Sequence, residues 1–365
     1  MRKLTRQTAV QALLGGALLG GGGGGLLDQG MDALEQAFSY VDELTLLDPA
    51  ELPDDAIAAN VSTLGAPSAF DAHLTPEHWK VALKDFTAAC GSEIAGFTSC
   101  ENGAASTANG WLLSALTGIP IIDAPSNGRA HPTGTMGSIG LNTLDGYVSI
   151  QAACGGAGEK YTEVTARGAL ESVSHVIRQS AVAAGGMVGV VRNPVPVRYL
   201  KDHAAVGAIE DAIRLGGLYQ KAAKKGIDTL VSTLEKEYGA RPLLTGKIEH
   251  YSLQMQGGYD VGTFSVLEEN QRHQVELTFW NEFMTAEDEN GKRLATFPDL
   301  IFTLDADSCD VVSTAQAVDG RKVCVMAVPK ERLFLGYGMR QKKLFEEAQG
   351  VIGKSLVAEN ESLFT

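Results

Sequence analysis

The chain has 365 residues, enough for two domains with a sizeable apolar core, and its 44% hydrophobic and 20% charged residues are typical of a globular protein. Its formal net charge of −14 argues against a nucleic-acid-binding protein, because phosphate recognition needs a concentrated basic face. No stretch approaches the roughly 20 apolar residues of a membrane span. We therefore expect a small-molecule ligand, with neither nucleic acid nor membrane as a partner.

The N-terminus and the cysteines bear on the cellular compartment. Met1 to Lys3, followed by AVQALLGGALLGG, imitates a secretory signal peptide, but glycines stand where the small-residue cleavage pattern belongs. The five cysteines are odd in number and scattered, so they predict neither a disulfide framework nor a zinc knuckle. We expect reduced thiols and a cytoplasmic location.

In chain order, a helix is predicted over residues 5–19, with Thr5 as a suitable N-cap. Strand and helix patterns then alternate. The predicted strands are 40–47, 54–63, 94–100, 119–122, 161–166 and 187–191, and the predicted helices are 31–38, 75–90, 171–184, 205–218 and 227–238. Such alternation favours a mostly parallel sheet with crossover helices. It predicts an α/β domain over residues 1–240.

Six consecutive glycines, residues 20–25, follow the first helix. Glycines permit positive φ and let a ligand or a neighbouring strand approach the bare backbone. One interpretation is an anion-binding nest of backbone N–H groups, and the other is a tightly packed structural turn. The run is not a P-loop, because no Lys-Ser/Thr pair follows it, and it lacks the preceding strand of a dinucleotide fingerprint.

From Leu244 the pattern changes to short alternations of apolar and polar residues. Glu289-Asn290-Gly291 and Asp319-Gly320 are strong hairpin signals. They predict an all-β domain, a sandwich or a small barrel, over residues 241–332. Residues 333–365 return to a helical pattern, which we expect to pack back on the α/β domain.

The polar side chains concentrate in one block, residues 101–137, on both sides of the apolar strand Ile119–Ile122. Glu101-Asn102-Gly103 opens a predicted small-residue helix ahead of that strand. Behind it follow Asp123, Asn127, Arg129 and His131. In open α/β sheets, ligands bind beyond the carboxyl ends of the strands, so we place the candidate site here.

Three separated regions of the chain together resemble one family. They are LLGGALLGGGGGG, then CENGAASTANGWLLSALTGIPIIDAPSNGRAHPTGTM, then GGYDVGTFSV with VELTFWNEFMTA and LATFPDLIFTLD. In order and spacing, over nearly the whole chain, they resemble the DUF917 family, the S-methyl-thiohydantoin desulfurase-like proteins, often encoded beside or fused to hydantoinase/oxoprolinase subunits. The resemblance implies an N-terminal α/β domain, a C-terminal β-rich domain and activity on five-membered cyclic ureides or thioureides.

The resemblance also assigns candidate residues by position. The family's glycine-rich entry, Glu-led glycine turn, strand-end acid, Gly-Arg-Ala run and Asn-Glu pair match Gly20 to Gly24, Glu101 to Gly103, Asp123, Gly128 to Ala130, and Asn281-Glu282. Two positions depart from the expected pattern. Pro125 stands where a second acid is expected, and His131 where an aromatic residue is expected. Both lie inside the candidate site, so the substrate need not be the family's.

Hydrolysis of a hydantoin-like ring needs an activated water or nucleophile, a proton donor for the leaving atom and donors for the developing oxyanion. Asp123 or Glu101 is the candidate base, His131 the candidate acid, and Arg129 or Asn102 the candidate oxyanion donor. The non-catalytic alternatives are a cap for Asp123, a structural ion pair for Arg129 and a solvated loop position for His131. The expected substrate-binding residues are Gly22, Gly23, Asn102, Asn127, Arg129, Asn281 and Glu282.

Two rival chemistries remain open at this point. Cys100 directly precedes Glu101 and is a candidate nucleophile that His131 would activate. For a metal, His73 and His78 lack the four-residue helical spacing of zinc sites. A divalent metal held by Asp123, His131 and Glu282 from different strands stays possible, although no cofactor is expected.

The sequence thus predicts a hydrolase-type enzyme that acts on a hydantoin, a thiohydantoin or a related cyclic amide in a cleft between the two domains. The alternative is a non-catalytic or accessory subunit that binds a small metabolite within an ATP-dependent hydantoinase/oxoprolinase system. A homo-oligomer and a hydantoinase/oxoprolinase subunit are the protein partners left open.

Overall fold

The computed structural model describes residues 1–65, 71–256, 259–269 and 272–364. Two sheets of eight strands each dominate it. The first contains β1 Arg2–Thr5, β2 Glu43–Leu47, β3 Ile57–Gly65, β4 Ile94–Thr98, β5 Ile121–Ile122, β6 Ser149–Gly155, β7 Thr162–Gly168 and β8 Met187–Pro196. The first two glycines of the GGYDVGTFSV stretch lie outside the described residues.

The strands of the first sheet follow the order β1-β2-β5-β4-β3-β8-β6-β7. Its centre is parallel, since β2, β5, β4 and β3 all run the same way. The flanking pairs β1–β2, β3–β8, β8–β6 and β6–β7 are antiparallel. The carboxyl ends of the parallel strands therefore meet along one edge, where the polar block begins.

Nine helices are found in the described part of the chain. They are α1 Arg6–Leu19, α2 Leu27–Phe38, α3 Pro76–Cys90, α4 Trp111–Thr117, α5 Leu170–Ala183, α6 Val197–His203, α7 Ala208–Ala223, α8 Ile227–Tyr238 and α9 Lys342–Ile352. Thr5 caps α1 as predicted, because its hydroxyl accepts from the backbone N–H of Thr8. None of the helices described is long and apolar enough to cross a membrane.

The second sheet contains β9 Arg241–Gln256, β10 Tyr259–Leu267, β11 Gln274–Trp280, β12 Glu282–Asp288, β13 Arg293–Thr296, β14 Leu300–Asp305, β15 Val311–Val312 and β16 Lys322–Val328. It is antiparallel throughout, in the order β13-β12-β11-β10-β9-β16-β14-β15. The sheet curls, since Phe264 of β10, Phe283 of β12 and Ile301 of β14 share one apolar cluster. The predicted fold class, α/β followed by an all-β part, is confirmed.

Helices α1 and α7 pack against both sheets, and α8 packs beside α7 against the second sheet. Leu18, Leu215 and Leu234 of these helices pack against Phe302 and Met326 of the second sheet. Helices α1 and α7 approach so closely that a Cβ on Gly15 would stand 1.9 Å from the carbonyl oxygen of Ala212. This layer holds the end of α1, where the six glycines begin, against both sheets.

Some local predictions need correction. Glu101 to Gly103 do not open a helix; a short 3₁₀ turn at Ser106–Ala108 precedes α4. The Asn290-Gly291 turn does join β12 to β13 as predicted. The Asp319-Gly320 turn is not a hairpin, because β15 and β16 both pair with β14, on opposite sides.

The C-terminal helix α9 lies against β11 of the second sheet. Its residues Leu344 and Phe345 share an apolar cluster with Trp280 and Met284 of the β-rich part and with Met136 of the α/β part. The chain end therefore contacts both parts. The domain boundaries at residues 240 and 332 stay predictions.

Candidate functional site

The six glycines form a loop, residues 20–25, that lies directly against the side chains of Arg129 and Glu282; we call it the glycine loop. A Cβ on Gly23 would stand 2.0 Å from Oε1 of Glu282, and one on Gly21 would stand 2.6 Å from Nη2 of Arg129. The loop is held in place because Phe283 donates its backbone N–H to the carbonyl of Gly21 at 2.7 Å. A side chain at Gly21 would therefore displace Arg129, and one at Gly23 would displace Glu282, so neither position accommodates a Cβ atom.

Glu101 and His131 form the best-defined contact of the polar block. Oε2 of Glu101 lies 3.4 Å from Nε2 of His131 and accepts the backbone N–H of His131 at 3.1 Å. Both residues are buried. The carboxylate thus holds both the loop and the imidazole ring of His131.

The neighbours of His131 determine its tautomer. Its Nε2 faces two acceptors, Oε2 of Glu101 and the carbonyl oxygen of Cys100 at 3.4 Å, so the ring proton belongs on Nε2. Its Nδ1 then carries a lone pair and has no hydrogen-bond partner among the described residues. This nitrogen is available as a base.

Glu282 begins β12 and brings a carboxyl group from the second sheet to the same region. Burial is the main reason that its pKa lies well above the usual range, and the charge of Glu101 raises it further. Arg129 and the backbone N–H of Gly24 oppose this shift only in part. Glu282 therefore keeps its proton at pH values at which an ordinary glutamate is ionised.

Arg129 is fully buried at the junction of the two sheets. Its Nε donates to the carbonyl of Ala130 at 3.0 Å, and Nη1 donates to the carbonyl of Pro298 at 3.3 Å. The guanidinium carbon lies 4.7 Å from the centre of the Phe297 ring. Burial lowers the pKa of Arg129 to about 10, opposed by Glu282, so the group stays cationic at neutral pH.

Four buried polar atoms in this region lack a hydrogen-bond partner among the residues described. They are Oδ1 of Asn102, Nη2 of Arg129, Nδ1 of His131 and Oε2 of Glu282. An unpaired buried polar atom costs about 1–3 kcal/mol, so four in one region indicate a place for a polar ligand. We call Glu101, Asn102, Arg129, His131 and Glu282 the buried cluster.

Two of the predicted binding residues have structural roles. Asn127 is buried, donates to the carbonyl of Arg129 at 2.9 Å and accepts the backbone N–H of Gly336 at 3.0 Å. Asn281 has a φ of 53° in the turn between β11 and β12, and its Oδ1 accepts the backbone N–H of Asp260 at 2.9 Å. Asn127 shapes the loop that carries Arg129, and Asn281 shapes the turn before Glu282.

Asp123 lies at the N-terminus of α7. Its carboxylate accepts the backbone N–H groups of Ile209 at 2.7 Å and Glu210 at 3.1 Å. Burial raises the pKa of Asp123 to about 7, and the Ile209 hydrogen bond opposes the rise. Among the hydrogen bonds of the described chain, none joins Asp123 to the buried cluster. The capping alternative describes this residue better than the catalytic one.

The rival chemistries find little support in the described residues. Burial and the charge of Glu101 raise the pKa of Cys100 to about 12, so its thiol is far from the thiolate that a nucleophile requires. No group of three or more His, Cys, Asp or Glu side chains within the described ranges is arranged to hold a metal ion. The rings of His73 and His78 contact each other at 5.8 Å.

A polar row across the first sheet was missed at the sequence level. Thr98 of β4 pairs with Asn60 of β3, and Asn60 pairs with Arg192 of β8, so the three side chains share one face. The Nε of Arg192 donates to Oδ1 of Asn60 at 3.3 Å. An asparagine and an arginine inside otherwise apolar strands were the available signal.

The comparisons with known proteins agree with this architecture. The crystal structure of a protein from Chromobacterium violaceum is similar, with a TM-score of 0.71 and 20% sequence identity over 100% of this chain and 98% of that one. At this identity the likeness supports the fold alone. None of the curated proteins matches. The S-Me-THD-like N-terminal domain model matches residues 8–162 and the C-terminal domain model matches residues 169–336. The sequence-based resemblance is thereby confirmed, and the chain belongs to the S-Me-THD-like family.

Proposed function

We propose that the protein is a hydrolase-type enzyme that opens or desulfurises a hydantoin, a thiohydantoin or a related cyclic amide at the buried cluster. The observation that carries the proposal is a buried base and a buried acid in one region. His131 has an unpaired Nδ1, and Glu282 retains its proton because of burial. A carboxylic acid that keeps its proton, beside an imidazole nitrogen with an unpaired lone pair, is an arrangement suited to acid-base catalysis.

In the proposed reaction, Nδ1 of His131 takes a proton from water as the water oxygen bonds to the ring carbon. Glu101 holds the other ring nitrogen and stabilises the imidazolium that forms, because the pair is 3.4 Å apart. These roles differ from the sequence-level hypothesis, in which His131 was the acid. Glu101 becomes a positioning residue.

Glu282 completes the proton balance. As the bond from the ring carbon to the leaving nitrogen or sulfur breaks, Glu282 gives its proton to the leaving atom through Oε2, the oxygen without a protein partner. The proton on His131 then returns to Glu282 by way of water. No oxidant or reductant is required, since water adds across the broken bond.

Arg129 and the glycine loop suit the charge that develops on the ring oxygen. Nη2 of Arg129 is buried and unpaired, and it lies beside Gly21. A preorganised donor in a water-poor site stabilises an oxyanion more than the same donor does in water. Asn102, Arg129, His131 and Glu282 are all buried. Their burial favours a compact, uncharged ring as the substrate over a long or charged polymer.

The test is turnover by the purified protein alone. Hydantoin, 2-thiohydantoin and an S-methylated thiohydantoin are followed by ring absorbance and, for the last, by released methanethiol. We expect turnover of at least one ring by the wild type and a loss of about 10²- to 10⁴-fold in kcat for E282Q, because the acid is removed.

The control for E282Q must change an acidic residue that does not contact the buried cluster. Asp299 is therefore excluded, because its carbonyl oxygen accepts a hydrogen bond from Nη1 of Arg129. E159Q is suitable, since Glu159 is exposed. If the wild type turns over no ring, or if E282Q equals the wild type, the proposal is wrong. Activity that appears only with a hydantoinase or oxoprolinase subunit would assign the chemistry to that partner.

A further inference from the structure

The turn between β13 and β14, Phe297 to Asp299, lies against Arg129 of the buried cluster; we call it the arginine turn. Nη1 of Arg129 donates to the carbonyls of Pro298 and Asp299, and the guanidinium carbon lies 4.7 Å from the centre of the Phe297 ring. Arg129 forms no ion pair with any residue that the structure describes. The position of its guanidinium therefore depends on the position of this turn.

Asn360, near the end of the chain, holds the first carbonyl of the arginine turn. Its side chain is fully buried, and Nδ2 donates to the carbonyl of Phe297 at 2.7 Å and to that of Leu356 at 2.8 Å. Its Oδ1 accepts from Nζ of Lys330 at 2.8 Å. Carbonyls require a donor and an ammonium group requires an acceptor, so these partners fix the orientation of the amide. Asn360 thus binds the carbonyl directly before the two that bind Arg129.

The C-terminal segment, residues 342–364, also supports the ring of Phe297. The centre of that ring lies 5.7 Å from the ring of Phe345 in α9, and the Phe345 ring lies 5.1 Å from that of Phe364. Phe297 and Phe345 are fully buried. The guanidinium of Arg129 contacts the same Phe297 ring. The C-terminal segment therefore holds both the carbonyl and the ring of the residue beside Arg129.

The carboxylate of Asp299 closes the arginine turn. Oδ1 accepts the backbone N–H of Lys330 at 2.9 Å, and Oδ2 accepts that of Thr296 at 3.2 Å. Lys330 thus contacts the turn through its backbone and Asn360 through its side chain. These bonds join the turn to the C-terminal segment as one connected hydrogen-bond network.

We propose that Asn360 is a positioning residue for the reaction: it fixes the arginine turn and so keeps Nη2 of Arg129 beside the glycine loop. This inference rests on the proposed function, in which Nη2 stabilises the charge on the ring oxygen. Nη2 has no partner among the described residues, and a Cβ on Gly21 would stand 2.6 Å from it. A displaced donor stabilises the developing charge less, whereas binding of the uncharged ring depends on it little. Asn360 acts only through Arg129.

The first test is a kinetic cycle with N360A, R129M and the double variant. We expect N360A to lower kcat by about 10- to 100-fold with little change in KM, because complete removal of an oxyanion donor costs about 10²- to 10³-fold. The double variant should equal R129M, since the effect of Asn360 passes through Arg129. Additive losses would overturn the inference.

Two further variants keep the test independent of folding defects in N360A. K330M removes the hydrogen bond to Oδ1 of Asn360 but keeps the backbone N–H that binds Asp299, so its loss of kcat should be smaller. The matched control is Y219F, which removes another buried hydrogen bond to a carbonyl, from Oη of Tyr219 to Cys309 at 3.0 Å. Y219F should keep the kcat of the wild type, and thermal melting checks that each variant is folded.

The pH dependence of kcat separates positioning from a loss of stability. The charged groups that act on Glu282 are Glu101, which raises its pKa, and Arg129, which lowers it; Asp299 also faces Arg129. If Arg129 is displaced in N360A, the pKa of Glu282 rises further. The alkaline limb of kcat, where Glu282 loses its proton, should then move to higher pH in N360A and stay unchanged in Y219F. An unchanged limb in N360A would contradict the inference.

Thermal melting needs no turnover, so it separates this inference from the proposed function. The difference in Tm between E282Q and its parent stops growing once pH exceeds the folded-state pKa of Glu282. That pH should be higher in the N360A background than in the wild type. Such a shift without turnover of any ring supports the positioning role and contradicts the hydrolase. Turnover with equal kcat in N360A and wild type, and no shift, supports the hydrolase and overturns the positioning role.

Discussion

Oε2 of Glu101 lies 3.4 Å from Nε2 of His131 and accepts the backbone N–H of the same residue at 3.1 Å. One carboxylate oxygen therefore fixes both the position of the loop and the orientation of the imidazole ring. With the carbonyl of Cys100 also beside Nε2, the remaining nitrogen, Nδ1, keeps its lone pair. This pair of residues sets the His131 tautomer on which the proposed reaction depends.

The first prediction concerns this pair. E101Q should lower kcat by about 10²- to 10⁴-fold, because a neutral amide no longer favours the Nε2–H tautomer or stabilises the imidazolium. H131N should cost at least as much. The double variant should be no slower than H131N, since residues that act as a unit are not additive. Steady-state kinetics measures all three, with the exposed Glu93 changed to Gln as control. Additive losses would contradict the pairing.

The second prediction concerns stability and pH. Burial raises the pKa of Glu282 in the folded protein above the ordinary value of 4.5, so the stability that its proton contributes is complete below pH 4.5. The contribution is lost as pH rises through the folded-state pKa. E282Q carries a permanently neutral side chain and should not show this loss.

Thermal melting of both proteins between about pH 5 and 9 checks this linkage. The Tm of E282Q should rise relative to that of the wild type as pH increases. E159Q, at an exposed position, should follow the wild type across the same range. A constant difference between E282Q and the wild type would show that Glu282 does not hold a shifted proton.

The third prediction concerns the glycine loop. G23A should lower the free energy of unfolding by about 1–3 kcal/mol and abolish activity, because its Cβ would stand 2.0 Å from Oε1 of Glu282. G134A is the matched control, since Gly134 has no heavy atom within 4 Å of its added Cβ. Denaturant unfolding and turnover measure the two effects. Equal behaviour of G23A and G134A would mean that the close approach is not maintained in solution.

The fourth prediction separates Asp123 from the chemistry. D123A removes the acceptor for the N–H groups of Ile209 and Glu210, so the free energy of unfolding should fall by about 0.5–2 kcal/mol. Below the melting transition, kcat should stay within a few-fold of the wild type. A loss of kcat comparable to that of E282Q would restore Asp123 as a catalytic residue.

Local signals in the sequence predicted much of the fold. Thr5 as a cap, the helix over 227–238 and the Asn290-Gly291 hairpin all depend on residues close together in the chain, and all are found. Strand pairing depends on distant residues. The pairing of β15 and β16 with opposite sides of β14 could not be derived from Asp319-Gly320, because a turn sequence does not specify the partner of the next strand.

The same distinction applies to the site. The glycines, Glu101, Arg129, His131 and Glu282 were selected from the sequence, and the structure brings them into one region. Asp123 looked equivalent because it also ends a strand, but its partner, Ile209, is 86 residues away. Arg192 was not selected, because a single arginine in a strand pattern does not show which distant side chains will lie beside it. Its observed partner, Asn60, belongs to another strand.

The most direct test of the central claim is oxygen transfer from isotope-labelled water. The purified wild-type protein is incubated with the ring compound that it consumes, and the product is analysed by mass spectrometry. We expect one labelled oxygen on the former ring carbon of each product molecule, and almost no labelled product with H131N. Product without label, or labelled product formed equally fast by H131N, would contradict hydrolysis at this site.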